Sequence, residues 1–173
     1  MGGVLIILSI LVSVFLWMDF QNPYTWIGLL SMVGFGLIGL VDDLLKIFRK
    51  NSEGLHARFK IYGQVIVSTA LVMLIYAVRG EYTSLLYVPF FKFPILDMSL
   101  LYVPFAVVLL VGYSNAVNLS DGLDGLAAGL IILVGITLTF LTYLTGHYNF
   151  AEYLQIPFIP EAAELTILCA ALV

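Results

Sequence analysis

Residues 115–125 read Asn115-Ala-Val-Asn118-Leu-Ser120-Asp121-Gly122-Leu-Asp124-Gly125, and they join two long apolar runs, 100–117 and 123–144. Two carboxylates, two side-chain amides and two glycines therefore fall in a short hinge of an otherwise oily chain. A carboxylate at the centre of a bilayer costs roughly 3 kcal/mol on insertion scales. A bound ligand or metal is the usual compensation, and the hinge is the first candidate for a functional site.

Outward from the hinge, the apolar pattern repeats. Runs fall at about 4–18, 25–41, 61–78, 100–117, 123–144 and 162–173. The chain has 173 residues, 62% of them hydrophobic, with seven basic and eleven acidic side chains and a mean hydropathy of +1.08. Continuous runs near twenty residues predict membrane-spanning helices, because a helix satisfies its own backbone where water is absent. Barrel strands would alternate instead. The expected fold is an all-α polytopic membrane protein with about five complete transmembrane helices plus a truncated sixth, forming a single transmembrane domain over 1–173. The first run has no polar lead-in after Met1-Gly2-Gly3, and the last stops at Val173 after a dozen residues. The chain therefore reads as a piece of a longer protein.

Five of the seven basic residues (Lys46, Arg49, Lys50, Arg58 and Lys60) fall in 42–60. Positive charge favours the cytoplasmic side, so loops 42–60 and 118–122 are expected inside, and loops 19–24, 79–99 and 145–161 outside. The net charge of −4 and the few, clustered basic residues argue against a nucleic-acid partner. The outer loops are rich in aromatics (Tyr82, Tyr87, Phe90, Phe91 and Phe93; Tyr148, Phe150 and Tyr153), which suits interfacial anchoring. Cys169 lies in an apolar run and reads as packing.

A second acidic cluster, Asp42-Asp43, closes the second run. Adjacent helical positions diverge by about 100°, so one carboxylate can face a cavity while its neighbour meets another partner. Lys46 can pair with either acid from one turn on. A pair of solvated helix-end charges is the plain alternative. In the hinge, Asp121 and Asp124 would share a face if helical, near a helix start that favours anions. Asn115 and Asn118 offer the donors and acceptors that a base or sugar requires. Helix capping by Ser120 or Asp121 would explain one of these residues but not all. Four carboxylates beside a basic loop compose a candidate site for Mg²⁺ and a diphosphate. Lys46, Lys50, Arg58 and Lys60 are candidates for a second, lipid-borne phosphate, although topogenic charge alone would account for Arg49 and Lys50. Gly34-Phe-Gly36-Leu-Ile-Gly39 matches a dinucleotide-loop spacing, but inside a membrane span it reads as helix packing. His56 and His147 lack partners at metal-ligand spacing.

The segments Gly39-Leu-Val-Asp42-Asp43-Leu-Leu-Lys46, Asn51-Ser-Glu-Gly-Leu55 and Asn115 to Gly125 resemble those of the polyprenyl-phosphate N-acetylhexosamine-1-phosphate transferases. The likeness is greatest to the branch that uses the UDP-N-acetylmuramoyl-pentapeptide donor. Met1-Gly-Gly, Val88-Pro-Phe-Phe-Lys92 and Asn149-Phe-Ala-Glu-Tyr-Leu-Gln-Ile-Pro157 extend it over the whole chain. The resemblance implies a Mg²⁺-dependent transfer of phospho-N-acetylmuramoyl-pentapeptide to undecaprenyl phosphate, releasing UMP, at the cytoplasmic face of a bacterial inner membrane. It also implies a homodimer for the full-length protein. By motif match, Asp42 is the candidate base, and Asp43 assists in phosphate or metal binding. Asn118, Asp121 and Asp124 hold the nucleotide substrate with Asn115 in support, while Lys46 neutralises phosphate, and Lys60 of the basic loop is a further candidate for binding phosphate.

Two departures accompany the resemblance. Leu44 stands where many relatives carry an aromatic. The family's Phe-Met-Gly-Asp motif, with its metal-binding aspartate, and its His-rich loop do not occur before Val173. The main Mg²⁺ ligand is therefore expected beyond residue 173, and the piece alone is expected to be inactive. The alternatives are a UDP-N-acetylglucosamine-dependent relative, and a transporter or non-catalytic scaffold. Acids gathered at one face, with none mid-span, disfavour proton transport.

Overall fold

The computed structural model describes residues 2–49, 54–79, 84–88, 91, 93–122 and 125–173. Of the described residues, 81% are helical, 3-10 turns included. Its helices are α1 (Gly2–Trp17), α2 (Pro23–Arg49), α3 (Ala57–Arg79), α4 (Tyr102–Ser120), α5 (Leu126–Gly146), α6 (Tyr148–Leu154) and α7 (Leu165–Ala171). Strands β1 (Leu85–Leu86) and β2 (Leu96–Asp97) form an antiparallel ladder between α3 and α4.

Among the described residues, four helices are long and apolar enough to cross a membrane: Pro23–Phe48, Ala57–Arg79, Ser99–Ser120 with its leading 3-10 turn, and Leu126–Gly146. The chain is an all-α polytopic membrane protein. The expected five complete spans become four and a shorter one. With 16 residues, α1 extends about 24 Å, less than the ~30 Å of a typical hydrocarbon core. The sixth apolar run is divided between a 3-10 turn at Pro160–Glu164 and the two-turn α7.

The loop boundaries also move. Helix α2 continues through Arg49, and α3 starts at Ala57, so the expected loop 42–60 is helical at both ends. Helix α4 continues to Ser120, loop 79–99 contains the β-ladder, and loop 145–161 contains α6. In α2 and α4 the helix continues past the end of the apolar run. Loss of hydropathy there does not mark the end of the helix.

The chain divides into two compact units, Met1–Leu29 with Val117–Val173, and Leu30–Ala116. In the first unit, Ile10, Val14, Met18, Leu29, Ala127, Ala151, Ala162 and Leu168 are buried. Small residues permit the close crossings here. A Cβ on Gly28 would stand 2.6 Å from a methyl of Leu168, and one on Gly146 would stand 2.7 Å from Ala163 Cα. Asn22 accepts the Tyr24 amide at 2.9 Å, capping α2 ahead of its Pro23. The Asn22 side-chain amide also donates to the Glu161 carbonyl at 2.9 Å, and the Asp19 amide donates to Glu164 Oε2 at 3.0 Å. In the second unit, α2 and α3 meet where Gly34 admits Val67 and where Ile38 lies over Gly63. Gly34 thus has the packing role expected from its motif, whereas nothing comes within 4 Å of a Cβ on Gly39. Leu5, Phe15, Val108, Leu133 and Phe140 are among the many exposed apolar side chains, as suits helices facing lipid.

Gly146→Ala is expected to destabilise the protein by about 1–3 kcal/mol, because the added methyl meets backbone that cannot yield. Gly129→Ala, with open space around its Cβ, is expected to leave the unfolding midpoint in detergent unchanged or raised.

The β-ladder carries a second prediction. Ser84 Oγ donates to Asp97 Oδ1 at 2.5 Å and the Ser99 amide donates to the same oxygen at 2.9 Å. These bonds, the Ser84 bond foremost, hold the Asp97 carboxyl below its ordinary value. A depressed folded-state pKa stabilises the turn above the unfolded value and loses that contribution as pH falls through the folded one. The Met98 amide, which donates to the Ser84 carbonyl at 3.0 Å, should therefore lose exchange protection only below the ordinary Asp range. Ser84→Ala should move that loss to higher pH.

Candidate functional site

In the second unit, Asp42, Asp43 and Lys46 converge on the last two turns of α2. The helical spacing separates the two acids as expected. The Asp42 side chain is 15% exposed and that of Asp43 is 68% exposed. Lys46 Nζ lies 2.7 Å from Asp42 Oδ2 and 3.4 Å from Asp43 Oδ1, bridging both from one turn away. The other oxygen of Asp42, Oδ1, accepts the backbone amide of Leu55 at 2.7 Å. Both Asp42 oxygens are therefore engaged within the protein, while Asp43 is the open carboxylate. Lys60, on the first turn of α3, adds a further positive charge to the field around Asp42.

Gly54 makes this arrangement possible. A Cβ there would collide with Asp42 Oδ1 and stand 2.7 Å from Lys46 Cε. Gly54 lies against the acid pair at a place that leaves no room for a side chain. Gly54 and Leu55 lie in the segment 51–55 that carries the family resemblance, but no role was expected for either. A Gly one residue from a helix-leading segment gives no spacing signal, and a backbone donor gives none at all.

The hinge differs from the expected geometry. Helix α5 begins at Leu126, and its N-cap is Gly125 at φ 81°, a conformation that glycine adopts readily. Asp121 is exposed in the turn before it, not on the helix. The shared helical face expected for Asp121 and Asp124 is therefore absent for Asp121, and Asp124 lies outside the described residues, as does Lys50. Capping does not explain Ser120 or Asp121. Ser120 Oγ donates back to the Val117 carbonyl at 2.8 Å, and no side chain caps α5. Asn118 is exposed on the last turn of α4.

Asn115 is engaged elsewhere. Its amide nitrogen donates to Gln64 Oε1 at 2.7 Å and to the Val111 carbonyl at 2.8 Å, which uses both of its N–H groups. Only its carbonyl oxygen remains for any ligand. Gln64 also donates to Ser114 Oγ at 3.1 Å. Sequence reading passed over Gln64, although one amide inside an apolar run was the available signal.

The histidines lie just before α3 and between α5 and α6. The His56 backbone carbonyl accepts the Phe59 and Lys60 amides, and the His147 ring packs 4.8 Å from Phe150. Among the described residues, no three His, Cys, Asp or Glu side chains gather to hold a metal ion.

Gly54→Ala is expected to displace the Asp42 carboxylate and raise hydrogen exchange at the Leu55 amide roughly tenfold or more, as loss of a charged hydrogen bond implies. Asp42→Ala should do the same. Asp42→Asn, which keeps an acceptor oxygen, should retain more of the protection in exchange measured by mass spectrometry.

Residues 25–168 match glycosyl transferase family 4. The chain is similar to proteins named phospho-N-acetylmuramoyl-pentapeptide-transferase from three bacteria. It is 45% identical to that of Thermodesulfovibrio yellowstonii, over 99% of this chain and 48% of the relative. It is 50% identical to that of Borrelia turicatae, over 99% and 49%, and 46% identical to that of Nitratidesulfovibrio vulgaris, over 100% and 48%. The chain spans about half the length of the curated relatives it matches. A match over most of its residues, running through both the acid pair of α2 and the hinge before α5, shows that the chain belongs to glycosyl transferase family 4.

Proposed function

We propose that the full-length protein transfers phospho-N-acetylmuramoyl-pentapeptide from a uridine diphosphate carrier to a polyprenyl phosphate such as undecaprenyl phosphate, in peptidoglycan synthesis. The observation that carries this reading is near-half identity, over essentially the whole chain, to relatives that bear the transferase's name. In the reaction, a carboxylate takes the proton of the lipid phosphate. One of that phosphate's oxygens then attacks the sugar-bearing phosphorus, and the bond to UMP breaks. Positioning and charge stabilisation supply most of the catalysis in such phosphoryl transfers.

The geometry favours a division of labour in the acid pair. Asp43, open and only loosely paired with Lys46, is the stronger candidate for the base. Asp42, with both oxygens engaged, holds Lys46 and the following loop in place. Lys46 and Lys60 would neutralise phosphate charge, and Asn118, Asp121 and Asp124 would hold the nucleotide substrate. Asp43 supplies a hard oxygen donor of the kind Mg²⁺ takes, and Mg²⁺ commonly completes its shell with phosphate oxygens and water. Bound there, the cation would offset repulsion between acids and phosphates. The basic residues around 46–60 support a cytoplasmic location for these groups, in a bacterial plasma membrane. A homodimer is part of the same reading.

Asp43→Asn, Asp42→Asn and Asp121→Asn in the full-length protein are each expected to lower transfer by roughly a hundredfold or more, the scale of a lost acid–base or charge-positioning group. Formation of the lipid-linked product from labelled nucleotide substrate measures it. Near-normal turnover in all three variants would overturn the reading. Preference for UDP-N-acetylglucosamine when both nucleotides are offered would replace the donor, and flux without nucleotide would point to a transporter.

A further inference from the structure

Gln64 is the largest fully buried side chain among the described residues, at 1% exposure, and it sits inside an apolar span. A buried amide in hydrocarbon must find partners within the protein. Gln64 finds them on two successive residues of α4, donating to Ser114 Oγ at 3.1 Å and accepting from Asn115 Nδ2 at 2.7 Å. These two residues are about 100° apart around α4, so a single amide that engages both defines a rotation as well as a contact.

The neighbouring registers are unequal. One turn toward the start of α4, Gln64 would face Leu110 and Val111 and lose both partners. One turn toward its end, it would face Asn118 and Leu119 and engage Asn118 itself. In the observed register Asn115 satisfies Gln64, and Asn118, three residues on, stays exposed. Polar side chains that tie helices together within a membrane commonly act this way.

We propose that Gln64 is a positioning residue that sets the rotation and register of α4 against α3 and so keeps Asn118 available to the nucleotide substrate. Asn115 serves as its partner rather than as a direct ligand. The nucleotide part of this inference rests on the transferase reading above. The register part does not.

The test uses the full-length protein with nitroxide labels at Tyr62→Cys on α3 and Tyr113→Cys on α4, both exposed positions. Electron–electron resonance should give one narrow distance. Gln64→Leu should shift or split it by on the order of 5 Å, one helical turn, and Gln64→Asn combined with Asn115→Gln should restore it. In parallel, without labels, Gln64→Leu should raise the KM for the nucleotide substrate roughly tenfold, the scale of one mispositioned hydrogen bond. The KM for polyprenyl phosphate should stay unchanged. If Gln64→Leu fails to fold, Gln64→Met provides the comparison, because it keeps the side-chain length and loses the bonds to Ser114 and Asn115, and it should shift or split the distance in the same way. An unchanged distance distribution would overturn the proposal. So would a shifted distance with unchanged nucleotide KM, since Gln64 would then be a structural tie alone. Absence of transfer by the unsubstituted protein would instead overturn the proposed function and leave the register result to stand by itself.

Discussion

Hydrocarbon offers a polar group nothing to bond to, and this constraint governs where chemistry can occur in the chain. Backbone groups are satisfied by running as helices. Two arrangements of side-chain groups matter for the site. Gln64, Asn115 and Ser114 satisfy one another inside the span. Asp42, Asp43 and Lys46 sit at the end of a helix long enough to leave the oily region. The proposed reactive groups all belong to the second kind, where water and a charged substrate can reach them.

The reach of α2 is the link between fold and site. Its 27 residues extend about 40 Å, more than the ~30 Å that the hydrocarbon requires. The acid pair lies on the last two turns of this helix, where Lys46 bridges both carboxylates. Gly54 lies against the pair where a side chain has no room, and the Leu55 amide meets Asp42. One acid becomes part of the scaffold and its neighbour stays open, although the sequence presents them as an identical pair.

This pattern explains what could be read in advance. Apolar runs at 25–41, 61–78, 100–117 and 123–144 located the four long helices, because burial in lipid imposes hydropathy directly on the sequence. In α2, α3 and α4 the apolar runs are shorter than the helices, because hydropathy does not mark where a helix ends. Asp42 to Arg49 remain helical beyond the run at 25–41, and Asp121 lies in a turn because Gly125 starts α5 later than the apolar run. The Asp42–Asp43–Lys46 cluster was legible from its spacing of three and four. The Asp42–Leu55 bond was not, since a backbone amide has no letter in the sequence. Gln64 was visible as a lone amide, but its partners lie fifty residues away and no local period points to them.

The central proposal is that α2 carries its acid pair out of the hydrocarbon to the cytoplasmic water boundary. Cysteine substitutions along 30–48, probed from each side of sealed vesicles with a membrane-impermeant maleimide, test it directly. Positions 30–40 should resist labelling from both sides, while 43, 46 and 47 should label from the cytoplasmic side alone. Protection at 43 and 46 equal to that at mid-span, or labelling from the opposite side, would contradict it.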